Sequence, residues 1–242
     1  YNAAISACEK GARWHKAMGM LADMRLHRLE TDVISHSAAI SACVDGAVWH
    51  EALDMFADMR LRCLEPNIIS RTAAICACEK GALWQDALGM LAGMRLHRLD
   101  PDVIVYSAVT SACGLGAQWE EVLGMFADMR QSRLEPDAIS YNTAISAYYR
   151  GSQWQEALDT LADMRLCLLE PNLMTHTAAM GACEKGSLTQ EALTRFADVH
   201  LRRLDPDVIM FNAVVRACEK GALWHEALGM LAGVRLQGFQ SL

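Results

Sequence analysis

Apolar positions along this chain fall into two alternating helical patterns. In one, Tyr106, Val109, Thr110 and Cys113 stand at i, i+3, i+4 and i+7 and share one face of an α-helix. Gly116 then interrupts the pattern. In the other, Trp84, Ala87, Leu88, Leu91 and Met94 trace a second apolar face. Pro101 pushes the residue before it out of the α region, so this helix must end by then. No stretch alternates with period two over a useful length, so no sheet is expected.

The paired pattern repeats. The Tyr1 position recurs at His36, Arg71, Tyr106, Tyr141, His176 and Phe211, every step 35 residues long without insertion or deletion. The five prolines (Pro66, Pro101, Pro136, Pro171 and Pro206) hold one repeat position, and Gly11, Gly46, Gly81, Gly116, Gly151, Gly186 and Gly221 hold another. A period of this size marks a solenoid. One short helix pair cannot bury its apolar face alone, whereas stacked copies share a continuous core.

The expected fold is therefore all-α, a right-handed α-solenoid of about seven stacked helix-turn-helix repeats. It is read as one domain over 1–242, with a truncated unit 1–32, then 33–67, 68–102, 103–137, 138–172 and 173–207, and a divergent end 208–242. Tryptophans at 14, 49, 84, 119, 154 and 224 are expected in the core or its seams. Thr189 replaces the tryptophan of its unit, which predicts a softer joint there. The chain opens inside a repeat, three residues of which are missing, so a longer parent protein is expected. The closing LQGFQSL loses the proline punctuation and leaves Phe239 without an obvious place.

Composition narrows the picture. The chain is 52% hydrophobic and 21% charged, a globular balance, and no apolar run approaches a membrane span. A net charge of −7 argues against a generic polyanion binder without excluding a locally basic groove. Six of the nine cysteines (Cys8, Cys43, Cys78, Cys113, Cys183 and Cys218) occupy one repeat position, where buried free thiols are expected rather than disulfides. Cys76 and Cys78 form a lone CxC with no second ligand pair at zinc spacing, so no metal is expected. His36 and His176 replace Tyr or Phe and read as aromatic substitutes, not ligands or bases. Asp23, Asp58, Asp128 and Asp163, near Arg25, Arg60, Arg130 and Arg165, predict a solvated outer face on the second helices.

A 35-residue helix pair that opens with Tyr-Asn and closes with Pro-Asp or Pro-Asn resembles the pentatricopeptide repeat family, in its P-type arrangement. The match is fullest over Val103 to Asp137, and Ala138 to Asn172 carries the YNTAIS form. The resemblance implies a single-stranded RNA binder acting in RNA processing, stability or translation, in a mitochondrion or plastid. It implies no cofactor, no small-molecule substrate, no membrane partner and no catalysis, and it allows RNA-processing proteins as further partners. An appended deaminase would need an HxE with a CxxC, and neither occurs. The competing reading is a peptide-binding scaffold of the tetratricopeptide kind.

In the family, the fifth and last residues of each repeat choose one nucleotide. Here the pairs are Asn2 with Asp32, Ser37 with Asn67, Thr72 with Asp102, Ser107 with Asp137, Asn142 with Asn172, and Thr177 with Asp207. Asn212 opens a seventh pair whose last position, Leu242, falls outside the pattern. The chemistry is sound in itself. Ionised Asp only accepts, which suits the ring N–H of guanine and uracil; Asn can donate, which suits adenine and cytosine. A short Ser or Thr leaves room for a purine, and a longer Asn reaches a pyrimidine. Taken in order with the N-terminal repeats toward the RNA 5′ end, the pairs imply 5′-UAGGCG-3′, the fifth letter tolerating uracil beside cytosine.

The family's second repeat residue wedges between bases, which implicates Ile34, Ile69, Ile104, Ile139, Met174 and Ile209. Cations near the end of the first helix, Lys10, Lys80, Arg150, Lys185 and Lys220, would face phosphates. Asp45 and Leu115 stand at the equivalent places in other units, so phosphate affinity is expected to be modest. Without the resemblance, Asp and Asn after proline are equally well read as helix caps and turn residues.

Overall fold

The computed structural model describes residues 2–11, 13–27, 29, 31–201, 206, 208–221 and 225. They form helix pairs joined by tight turns: α1 (Asn2–Lys10) with α2 (Trp14–Leu26), α3 (Val33–Asp45) with α4 (Trp49–Leu61), α5 (Ile68–Lys80) with α6 (Trp84–Leu96), and α7 (Val103–Leu115) with α8 (Trp119–Gln131). Then come α9 (Ala138–Arg150) with α10 (Trp154–Leu166), α11 (Leu173–Lys185) with α12 (Thr189–Leu201), and α13 (Val208–Lys220). No strand occurs among the described residues, so the fold is the all-α repeat array expected. The chain divides into two compact units, Tyr1–Pro136 and Asp137–Leu242, and the division falls at a repeat junction.

Helices α3, α5, α7, α9 and α11 each start where a side chain caps them. Asp32, Asn67, Asp102, Asp137 and Asn172 hold extended backbone, and each Oδ1 accepts the N–H three residues on. A cap of this kind contributes about 1 kcal/mol. The second helices have no such cap; Val48, Leu83, Gln118 and Gln153 occupy that position without a side-chain bond. They are held instead by the turn before them. In the α3–α4 turn, Val48 N–H donates to Cys43 O at 3.0 Å and Ala47 takes φ 57°. This closing turn recurs at Ala82, Ala117, Ser152 and Ser187.

That geometry corrects the expected role of the glycines. Gly46 and Gly116 sit at φ −77° and −75°, which any residue adopts, and the left-handed residue is the next one. Glycine is needed for space. A Cβ on Gly46 would stand 2.2 Å from Trp14 Cδ1, on Gly116 2.3 Å from Trp84 Cδ1, and on Gly186 2.7 Å from Trp154 Cδ2. Trp14, Trp49, Trp84 and Trp154 thus each lie against the glycine that ends the next first helix, a seam position, while Trp224 lies outside the described residues. At the Thr189 joint the tryptophan contact is replaced by a hydrogen bond from Thr189 Oγ1 to Ala217 O at 2.9 Å.

Within unit 1, α3 packs on α1, α2, α4 and α5, and α5 on α7; within unit 2, α11 packs on α9, α10, α12 and α13. First helices stack on first helices because small side chains let them approach: Ala38, Ala39, Ala42 and Cys43 in α3, and Ala73, Ala74, Ala77 and Cys78 in α5, are all buried. Ile40, Ile75, Ile145 and Met180 fill one repeat position with no exposure. Thr110 fills the same position in α7, and its buried hydroxyl has no hydrogen-bond partner among the described residues. The column cysteines Cys8, Cys43, Cys78, Cys113, Cys183 and Cys218 are buried and free. Burial pushes the Cys43, Cys113 and Cys183 thiols up to about 11 and Cys78 to about 12, so they stay protonated at neutral pH. Second helices meet through side chains: acidic and basic residues pair between repeats, as Arg25 with Asp58 and Arg95 with Asp128, alongside local i,i+4 pairs such as Arg195 with Glu191.

Candidate nucleic-acid interface

The repeat geometry brings the fifth residue of one unit against its last. Ser37 Oγ lies 3.3 Å from Asn67 Oδ1, although 30 residues separate them. In unit 2, Asn142 and Asn172 meet through Thr175, whose hydroxyl bonds to Asn142 Oδ1 and whose N–H donates to Asn172 Oδ1 at 3.0 Å. Ser107 and Asp137 belong to different units. The side chain of Asn2, the side chain of Lys10 and the whole of Asp207 lie outside the described residues.

Capping and presentation use different atoms of the same side chain. Asn67 Oδ1 accepts from Ser70 N–H at 2.9 Å, which orients the amide so that Nδ2 points away from the cap. Asn172 Oδ1 accepts from Thr175 N–H at 3.0 Å, with the same result. Asp102 Oδ1 accepts from Val105 N–H at 3.0 Å, leaving Oδ2. Among the described residues, no partner takes Asn67 Nδ2, Asn172 Nδ2 or Asp102 Oδ2. The cap reading and the display of a polar atom are therefore compatible.

The fifth residues sort by depth. Ser37 and Ser107 are recessed, at 4% and 6% exposure, whereas Asn142 is half-buried and Asn212 exposed. The Ser37 hydroxyl donates to Val33 O at 2.6 Å and that of Thr177 to Leu173 O at 2.8 Å, each one turn back in its own helix. The Thr177 proton is thereby committed, while the Ser37 hydroxyl is shared between Val33 O and Asn67 Oδ1.

Large apolar side chains stand beside these pairs in open solvent. Ile34, Ile69, Ile104, Ile139, Met174 and Ile209 are each more than half exposed, the highest being Met174 at 73%. A regular row of exposed apolar side chains, one per repeat, is costly unless something covers it.

Two concavities gather these residues. In unit 1 a cavity of about 370 Å³ is lined by Ile69, Thr72 and Asp102 together with Ser41, Asp45 and Cys76. In unit 2 a cavity of about 580 Å³ is lined by Met174, Thr177, Ile209 and Asn212 together with Arg150 and Arg216. Arg216, Ser41 and Asp45 are additions that spacing alone did not single out as contacts. Gly181 also lines the second cavity, and a Cβ there would stand 2.5 Å from Tyr149 Cε2.

Three of the sequence-predicted cations reach backbone carbonyls. Lys80 Nζ bonds to Val44 O, Lys185 Nζ to Tyr149 O at 2.7 Å, and Lys220 Nζ to Glu184 O at 3.0 Å. Each reaches the C-terminal carbonyls of the preceding first helix, where a cation is favoured. Lys185 also lies 4.5 Å over the Tyr149 ring.

A family model described as PPR repeat matches residues 1–29 and 104–134, and one described as PPR repeat family matches residues 136–185. Among solved structures, the chain is similar to the pentatricopeptide repeat protein PPR10 from maize, with TM-score 0.60 and 23% identity over 98% of this chain and 34% of that one. PPR10 in complex with an 18-nt psaJ RNA element matches with TM-score 0.56 and 18% identity over 95% of this chain and 38% of that one. The PPR domain of Arabidopsis thaliana protein-only RNase P 1 in complex with tRNA gives TM-score 0.64 and 11% identity, over 74% and 95% of the two chains. At these identities the likeness is one of fold. The chain spans about a third of the length of the maize structure. No curated protein matches it by sequence.

Proposed function

Because the chain belongs to the pentatricopeptide repeat family, we propose that it binds single-stranded RNA without catalysis, one nucleotide per repeat, with the core 5′-UAGGCG-3′. The observation that carries this reading is the contact of Ser37 with Asn67, with Asn67, Asp102 and Asn172 each engaged as a cap through Oδ1 so that a second polar atom remains, beside exposed apolar side chains. The atoms presented have the polarity each letter needs. Asn67 Nδ2 donates, which suits adenine N1; Asp102 Oδ2 accepts, which suits the guanine N1–H. The exposed isoleucines and Met174 supply apolar surface for the base faces.

The fifth letter can be sharpened. The Thr175 hydroxyl engages Asn142 Oδ1 and the Thr175 N–H engages Asn172 Oδ1, which leaves the Nδ2 donors of both side chains for a base. Cytosine offers acceptors at N3 and O2, whereas uracil places a donor at N3. The arrangement favours cytosine over uracil.

Gel-shift titration tests the reading, using 5′-UAGGCG-3′, a scrambled six-mer and a DNA copy. The expected result is tightest binding to the first. Equal binding to all three would remove the code, and binding to none would favour a peptide-binding scaffold.

A further inference from the structure

Where second helices of neighbouring repeats meet, three positions converge in a fixed register. At the α2–α4 junction Arg25 pairs with Asp58, which also accepts from Arg62 Nε at 2.8 Å and lies 3.4 Å from His36 Nε2. At the α6–α8 junction Arg95 pairs with Asp128 at 2.6 Å and donates to the Tyr106 hydroxyl at 2.8 Å. In unit 2, Arg165 pairs with Asp198 in the same way. The motif is an arginine, an aspartate 33 residues on, and a ring residue in the first turn of the intervening first helix.

The α4–α6 junction breaks this rule. The three positions hold Arg60, Gly93 and Arg71. The carboxylate is gone, and a second guanidinium replaces the ring. Among the described residues, neither Arg60 nor Arg71 meets a carboxylate within ion-pair distance; Arg71 Nε donates only to Pro66 O, at 3.2 Å. Burial and the charge of Arg60 lower the Arg71 pKa, against the opposing charge of Glu65. A cavity of about 550 Å³ opens here, lined by Arg60, Arg71, Gly93 and His97 among others. Asp86 lines it too, without pairing to either arginine. The place of the missing side chain is open, since a Cβ on Gly93 would make only ordinary contact with Arg71 Nη1, at 3.4 Å.

We propose that this junction is an oxyanion site that takes phosphate or a phosphate monoester in place of the missing aspartate. Two guanidinium groups present more donors than one carboxylate can use, and their forked geometry matches the oxygens of a phosphate dianion. A phosphate also neutralises both charges, which a carboxylate does not. Asn67, Thr72 and Asp102, which the base-reading proposal uses, do not line this cavity.

Isothermal titration with inorganic phosphate and with phenyl phosphate, at ionic strength matched with chloride, tests this. Acetate serves as the carboxylate arm. The expected result is saturable phosphate binding to the full chain, with phenyl phosphate at least as tight and acetate at least tenfold weaker. Gly93→Asp, which restores the aspartate, and Arg71→Tyr, which restores the ring, should each weaken phosphate at least tenfold while the helical circular dichroism is kept. Phosphate heat no larger than the chloride control, or an undiminished response in both variants, would overturn the site. Equal binding of acetate and phosphate would overturn the phosphate assignment.

Discussion

The grooves of the two units use the same repeat positions and differ in charge. In unit 1 the cavity around Thr72 and Asp102 is lined by two carboxylates, Asp45 and Asp102, and by no cation. In unit 2 the cavity around Thr177 and Asn212 is lined by Arg150 and Arg216, with Glu184 between Arg216 and Lys220. The proposed code pairs hardly vary between the units, while the residues lining the cavities around them do. Under the proposed function, reading a base and holding a phosphate would fall to separate columns of the repeat, with the cations concentrated in the unit 2 cavity.

The largest expected effect comes from closing the unit 2 groove. Gly181→Val forces the Tyr149 ring out of the space it fills and costs about 1–3 kcal/mol, the usual penalty for overpacking. Urea denaturation reads the loss, and a wild-type midpoint would contradict the packing described. Next is a gain in unit 1. Thr110→Val removes a buried hydroxyl that has no partner at nearly constant volume, and should add about 1–2 kcal/mol. A destabilised variant would mean that the hydroxyl is satisfied in solution.

The charge difference is tested by exchange. Arg150→Ala or Arg216→Ala should weaken RNA binding for every sequence alike and lower the salt slope by about one per lost contact. Asp45→Lys should raise affinity and steepen the slope by about as much. Lys80→Ala should matter less, because its ammonium is already tied to Val44 O. If Asp45→Lys has no effect while Lys80→Ala has a large one, the assignment of the two columns is reversed.

The period, the helix pairs and their starts were legible in the sequence, because proline and the capping Asp or Asn act locally. The reason for the glycines was not. Gly46 reads as a helix stop, but its cause is Trp14, one repeat away, and no local pattern says which tryptophan meets which glycine. The proposed base-reading pairs were legible as residue types, and the recession of Ser37 and the bridging by Thr175 were not, since both depend on how neighbouring first helices stack. The cations show the same limit. Spacing places Lys185 at the end of its helix, and only the fold reveals that Tyr149 O and the Tyr149 ring compete for it.

The central claim is that paired side chains choose bases one at a time, and Asn142 tests it most directly. Competition binding compares 5′-UAGGCG-3′ with 5′-UAGGAG-3′ on the original chain and on Asn142→Ser, which recreates the Ser37–Asn67 type of pair beside Asn172. The original chain should prefer cytosine at the fifth nucleotide, and the variant adenine, by about tenfold or roughly 1.4 kcal/mol. An unchanged preference, with affinity for the other five letters intact, would show that Asn142 does not read a base.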